Sequence, residues 1–224
     1  MRKTFFLLLV LPLFLTSCIE IIDDLSINAD GSGTFKYTIN LSSSKLKVNT
    51  MLKLDSLNGK KMLKLPEIKA KINQFKSNLA SQSGISNVKF EMNDAEFIGK
   101  FSCDFTDVGK LQDAIKNSLA SMDADIKSSA DFSFNWISWN GSKLERSIPD
   151  FSQKQFKDLK QEDIDLLKTG NYTVISRFYK PVEKYDNANA IISKSRTAVM
   201  LKANAYSLTK NSKILENTIY LNQK

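Results

Sequence analysis

The sequence predicts an α+β fold: an antiparallel β-sheet built from successive hairpins, with about three helices packed on one face. Two patterns carry this expectation. Short runs in which apolar residues alternate with polar ones flank Gly- and Asn-containing turns, and between those runs lie stripes of apolar residues at helical spacing. Hairpins with interspersed helices belong to the class in which helices cover one side of an antiparallel sheet. No stretch is rich enough in Pro, Gly or Ser to divide the chain, so residues 18–224 read as one domain.

The first hairpin spans residues 19–41. Ile21, Leu25 and Ile27, then Phe35, Tyr37, Ile39 and Leu41, alternate on either side of Asp30-Gly31-Ser32-Gly33. An Asp-Gly step between alternating runs is a strong hairpin signal. Residues 44–64 carry a loose helical pattern (Leu46, Met51, Leu54, Leu57), broken at Asn58-Gly59. A clearer helix starts at Pro66, which suits a first turn, and runs through Ile68, Ile72, Phe75 and Leu79 until Gly84 closes it. In the second hairpin, Ile85, Val88, Phe90 and Met92 lead through Asn93-Asp94 to Phe97, Phe101, Cys103 and Phe105. Asp107 is placed to cap the next helix, with Val108, Leu111, Ile115, Leu119 and Met122 on one face.

The third hairpin joins Phe132, Phe134, Trp136 and Ile137 to Leu144 and Ile148 through Asn140-Gly141. Ser152 and Gln155 have the spacing of a capping box for a helix carrying Phe156, Leu159, Leu166 and Leu167 and ending at Gly170. The remainder reads as strands at Tyr172–Tyr179, Thr197–Leu208 and Ile214–Leu221. The connection 182–195 is turn-rich, with room for a short strand at Ala190-Ile191-Ile192.

The first residues give an address rather than a fold. A positive start (Arg2, Lys3) precedes eleven apolar residues, Phe5–Leu15, shorter than the ~20 that a spanning helix needs. This is the layout of a secretory signal peptide, residues 1–17, and Leu15-Thr16-Ser17-Cys18 fits a bacterial lipobox. Cys18 is therefore the expected lipidation site, carrying palmitate or similar acyl chains. Each buried CH₂ adds ~0.8 kcal/mol of membrane affinity, so two or three chains hold a protein essentially permanently. The expected location is the cell envelope, on the outer membrane if the source has one.

Composition narrows the function. The mature chain would hold 30 basic and 24 acidic residues, too mild an excess for a nucleic-acid partner. With Cys18 acylated, Cys103 has no partner for an internal disulfide. There is no histidine, which removes Ser-His-Asp and Cys-His chemistry and His-containing zinc sites. No cofactor, metal or catalytic residue is predicted.

Several motifs invite a site. Asn28–Gly33 has oxygens at alternating positions, but the twelfth position of a calcium loop would fall on Tyr37. Its Gly-x-Gly opens a strand rather than a helix, so a hairpin turn is the better reading. Cys103 is in phase with Phe101 and Phe105 and reads as core. Trp139 is expected on the opposite face from Phe132, Phe134 and Trp136, exposed beside its turn. Nine lysines between Lys45 and Lys76 face only Asp55 and Glu67; such a surface could rest on anionic headgroups, although a solvated helix face has the same composition. Lys60, Lys61, Lys64 and Trp139 are the candidate binding residues.

The stretch CIEIIDDLSINADGSGTFKYTINLS resembles a class of bacterial lipoproteins in which a lipobox precedes a strand, an Asp-Gly-Ser-Gly turn and a second strand. Residues 178–203, FYKPVEKYDNANAIISKSRTAVMLKA, are similar to the closing segment of LppM-like lipoprotein domains. The resemblance implies an envelope role in binding or structure and carries no catalytic residue. The expected function is thus a lipid-anchored, non-catalytic extracytoplasmic protein whose partner is the membrane and whose ligand is a lipid, glycan or envelope protein. The alternative is an extracytoplasmic hydrolase using carboxylate chemistry.

Overall fold

The structure, a computed structural model, describes residues 19–57, 60–122, 135–147 and 161–222. The first hairpin forms as expected: β1 (Glu20–Ile27) and β2 (Gly33–Asn40) pair antiparallel from Glu20–Asn40 to Ile27–Gly33. Its turn is held by Asp30 Oδ1, which accepts from the Ser32 amide (3.0 Å) and hydroxyl (2.6 Å) and lies below its ordinary pKa as a result. Gly31 takes φ +84°, a conformation that favours glycine.

After β2 the chain enters α1 (Lys45–Lys53), then a small hairpin of β3 (Ser56–Leu57) and β4 (Lys60–Lys61). Helix α2 (Leu65–Ala80) begins beside Pro66 as predicted, with Glu67 accepting from the Lys64 amide. The second hairpin is β5 (Ile85–Asn93) and β6 (Ile98–Phe105). Asp107 caps α3 (Val108–Ala120) by accepting from the Lys110 amide at 2.9 Å. The buried face of α3 is rotated from the predicted stripe: Val108, Leu111, Gln112, Ala114 and Ser118 are buried, whereas Leu119 is exposed. The cause is Gln112, which donates to Asn135 and accepts from the Ile137 amide, turning its side of the helix toward the third hairpin.

That hairpin is β7 (Ile137–Trp139) and β8 (Lys143–Arg146), turning at Asn140-Gly141. Phe132, Phe134, Ile148 and the capping box of Ser152 and Gln155 lie outside the described residues; α4 spans Gln161–Lys168. The tail supplies β9 (Asn171–Phe178), β10 (Val182–Tyr185), β11 (Ile191–Ile192), β12 (Ala198–Asn204) and β13 (Asn217–Leu221). The strand expected to reach Leu208 stops at Asn204. There the Asn204 side chain accepts from the amides of Tyr206 and Ser207 and starts α5 (Ala205–Lys210).

The strands form two main sheets rather than one. A seven-stranded sheet has the order β11-β12-β9-β1-β2-β6-β5, and a four-stranded sheet the order β10-β13-β8-β7. The pairing of β1 with β9 is parallel, the exception in an otherwise antiparallel large sheet. One face of the large sheet carries Leu25, Ile27, Cys103, Phe105, Phe178 and Val199. Leu79, Val108, Leu111 and Ala114 from α2 and α3 cover one part of that face, and Ile137, Leu144, Ile219 and Leu221 from the small sheet cover another. Helices α2 and α3 therefore do lie on one face, sharing it with a second sheet.

Gly33 is required by close approach rather than by its dihedral angles. A Cβ there would lie 1.9 Å from the Ser26 carbonyl oxygen and 2.5 Å from Phe105 Cζ. Gly33→Ala is expected to destabilise the fold by ~1–3 kcal/mol or more, as overpacking does. An unchanged urea midpoint would show that the two strands can part without cost.

Candidate functional site

Two regions of the molecule gather chemistry, one inside and one at an end. Inside, β1 carries Asp23 on the face shared with Leu25 and Ile27. Asp23 Oδ2 accepts from Arg146 Nη2 of β8 at 2.7 Å, with both side chains almost fully buried. Arg146 also donates to the Ile175 carbonyl (3.3 Å) and the Ser176 hydroxyl (3.4 Å), both on β9. Tyr37 and Tyr172 sit on either side of β1 with their rings edge-on at 6.5 Å and their hydroxyls hydrogen-bonded. Burial, more than the nearby Asp23 carboxylate, pushes the Tyr37 phenol up to about 12 and raises Tyr172 as well. Next to the ion pair, Arg146, Ser176, Asn217 and apolar neighbours line a cavity of about 10 Å³. That is room for one water molecule, not a substrate. The cluster has the geometry of a clamp between the two sheets.

The adjacent Asp24 points to the other side of β1 and accepts from Arg177 of β9 through both guanidinium Nε and Nη2 at 2.9–3.1 Å. The acidic pair Asp23-Asp24 is thus divided between two arginines, one inside and one outside.

At the end of the sheet where β1 starts, the chain arrives from Cys18, which lies outside the described residues. The Ile19 carbonyl accepts from the Asn171 amide at 2.7 Å, so the fold takes hold one residue after Cys18. At this same end lie the close of β2, the β5–β6 turn and the junction of β12 with α5, because Glu20 pairs with Asn40 and Asn171, Asn40 with Ile98, and Asn171 with Asn204. Lys45 of α1 pairs with Glu96, and Lys69 of α2 with Asp94, which brings the lysine-rich segment to the end where β1 starts. Within it, Lys61 binds Glu67 (2.8 Å), and Lys64 binds Asp55 (3.0 Å) and the Leu54 carbonyl. Lys60 contributes its backbone to β4 opposite Leu57. Part of the positive excess seen in the sequence is therefore met by neighbouring carboxylates.

Trp139 is elsewhere. It was expected exposed, but it is half-buried, stacked on Phe178 (6.1 Å, 25°), with its indole nitrogen 3.7 Å from where a Cβ on Gly31 would stand. It follows Ile137 on the same strand face and closes the core against the first hairpin's turn, at the opposite end from the lysines. The structure thus does not bring Trp139 together with Lys60, Lys61 and Lys64. Cys103 is buried as expected, and burial pushes its thiol up to about 12. Asp23 and Arg146 form a buried ion pair that the sequence reading missed; an Asp on the apolar side of an alternating strand was the available signal.

Arg146→Met leaves a buried carboxylate without its partner and is expected to cost ~3–5 kcal/mol; Asp23→Leu added to it should recover most of the loss. A double-mutant cycle by urea unfolding in which the two losses simply add would mean that the pair is uncoupled. The tyrosines set an alkaline limit. A phenol ordinarily ionises near 10, so the unfolded chain loses these protons first. The stabilisation is complete below pH 10 and is lost as pH rises through about 12. Replacing both Tyr37 and Tyr172 by Phe should flatten the fall in melting temperature across that window, and an identical fall in the variant would assign it to other groups.

No protein-family model matches the chain, and no curated protein matches it. Among solved structures, the chain is similar to the NMR structure of the folded domain of Mycobacterium tuberculosis LppM. The two share 12% identity over 93% of this chain and 92% of that one, with a TM-score of 0.43. A likeness at that level is a weak structural similarity and carries no functional argument.

Proposed function

We propose that this chain is a lipid-anchored extracytoplasmic protein of the cell envelope, acylated at Cys18, with a non-catalytic binding or structural role. The observation that carries the reading is the junction between address and fold. The lipobox ends at Cys18, and β1, a central strand of the large sheet, starts at Glu20. A signal peptide cut before Cys18 would leave a chain in which every later residue can belong to one domain, residues 18–224. Among the described residues no helix is long and apolar enough to cross a membrane, so in this reading attachment rests on the acyl chains. The interior cluster supports a structural use of its charged groups, since the buried Asp23 and Arg146 are bonded to each other and the cavity beside Arg146 holds no more than a water molecule.

The test is acylation itself. Cells fed labelled palmitate should incorporate it into the wild-type chain, and Cys18→Ala should abolish the label and release the protein from the membrane fraction. A wild-type chain without acyl groups would overturn the proposal. Recovery of the acylated protein from its own envelope, with lipids and proteins both analysed, then identifies what it binds.

A further inference from the structure

The position of the anchor decides which end of the domain meets the bilayer. We infer that α1 and α5 rest on the lipid surface that holds Cys18, with Leu46 inserted at the boundary between headgroups and acyl chains; this rests on the acylation reading above.

Cys18 precedes β1 by only two residues, so the span from anchor to sheet is under ~10 Å even when fully extended. Neighbouring strands lie ~4.8 Å apart, so the elements that leave the sheet at the start of β1 lie within about two strand widths of the anchor. Helix α1 leaves from β2 on one side of β1. Helix α5 leaves from β12, two strands away on the other side. Gly170, at the close of α4, packs against Ile19 and Ala205, which fixes α5 beside the point of attachment.

The side chains at this end suit an interface. Leu46 is 84% exposed, the most exposed of the large apolar residues among the described residues, and lysines flank it on both sides in the sequence. Ile39 and Leu54, also exposed, lie at the end of β2 and just beyond α1. Helix α1 has no fully buried residue; Val48, Met51 and Leu52 are half-buried, and core packing does not account for Leu46. On the other flank, Tyr206 of α5 is half-buried, with the ammonium groups of Lys168 and Lys210 at 5.8 and 5.2 Å from its ring centre. A tyrosine bracketed by lysines fits the headgroup level, where an aromatic ring has one apolar side and the ammonium groups meet lipid phosphates. Anionic lipids attract lysines near their surface, and an inserted leucine adds apolar burial that charge alone lacks. The occupant is therefore a leaflet containing anionic phospholipid. The opposite end, where Asn28, Ala29 and Asp30 are exposed, faces away from it.

Membrane retention cannot test this, because the acyl chains hold the protein whichever way it tilts. The experiment is a comparison of depth. Natively acylated full-length protein carrying Leu46→Cys or Ala29→Cys is labelled with an environment-sensitive fluorophore and placed in vesicles of phosphatidylethanolamine and phosphatidylglycerol. Cys103 is buried and should not compete for label. The probe at position 46 should shift to the blue and lose most of its emission to spin-labelled lipid. The probe at position 29 should respond to aqueous iodide alone. Vesicle-bound protein whose probe at 46 behaves like that at 29 overturns the orientation while leaving the anchor intact. Protein that fails to float with the vesicles overturns both.

Discussion

Strand β1 must satisfy hydrogen bonds along both of its edges, and the organisation of the molecule follows from how it does so. One edge is met at once by β2, joined through a short turn. The other waits for β9, since Glu20 pairs with Asn171 and Ile27 with Phe178 in parallel register. An interior strand with an open edge would leave a row of amide and carbonyl groups unpaired, at a cost that a fold of this size cannot carry. The large sheet is therefore incomplete until its C-terminal third is in place. Such long-range closure adds loop entropy to folding and makes the N-terminal hairpin dependent on residues far away in sequence.

The same strand ties the two sheets together. Alternation sends Asp23 inward and Asp24 outward, and each finds an arginine. The inner pair is the more consequential. A buried carboxylate without a partner is costly, so Arg146 has to reach the large sheet, and it carries β8 and the small sheet with it. Its further bonds to Ile175 and Ser176 fix it to β9 as well. One guanidinium thereby touches both strands of the parallel pair. The tyrosines on either side of β1 bond to each other beside the pair. Around this clamp apolar residues of both sheets form one cluster from Leu25 to Leu221, and Val174, Leu201, Ala203 and Leu215 form a second beside it.

These constraints give the domain two different ends. At one, the turns of the first and third hairpins meet where Trp139 stacks on Phe178 and covers Gly31, which seals the core. At the other, the sheet opens into α1, α5 and the lysine-rich segment, with leucines left in solvent and ion pairs at the periphery. The start of β1 lies at the second end. A chain entering the fold there has little freedom to reorient, because the backbone is bonded from Ile19 onward.

How much of this the sequence revealed depended on the range of the interaction. The three hairpins, the Pro66 start of α2 and the Asp107 cap of α3 were legible, because turn chemistry and apolar period are local and a few neighbouring residues decide them. The end of β12 was misread because Tyr206 and Leu208 continue an alternating pattern, while the Asn204 side chain captures the next amides and starts a helix. The face of α3 was misjudged because a polar residue, Gln112, is buried through bonds to a distant hairpin. Trp139 looked exposed because its stacking partner, Phe178, lies in another sheet. By itself the sequence determined the α+β class, the order of most elements and the expectation of an acylated Cys18. Only the tertiary structure decided the parallel pairing of β1 with β9, the division into two sheets, the Asp23–Arg146 clamp and the end at which the lysines gather. Those features pair residues far apart in the chain, and neither turn residues nor periodicity records which distant partner a buried edge or charge will find.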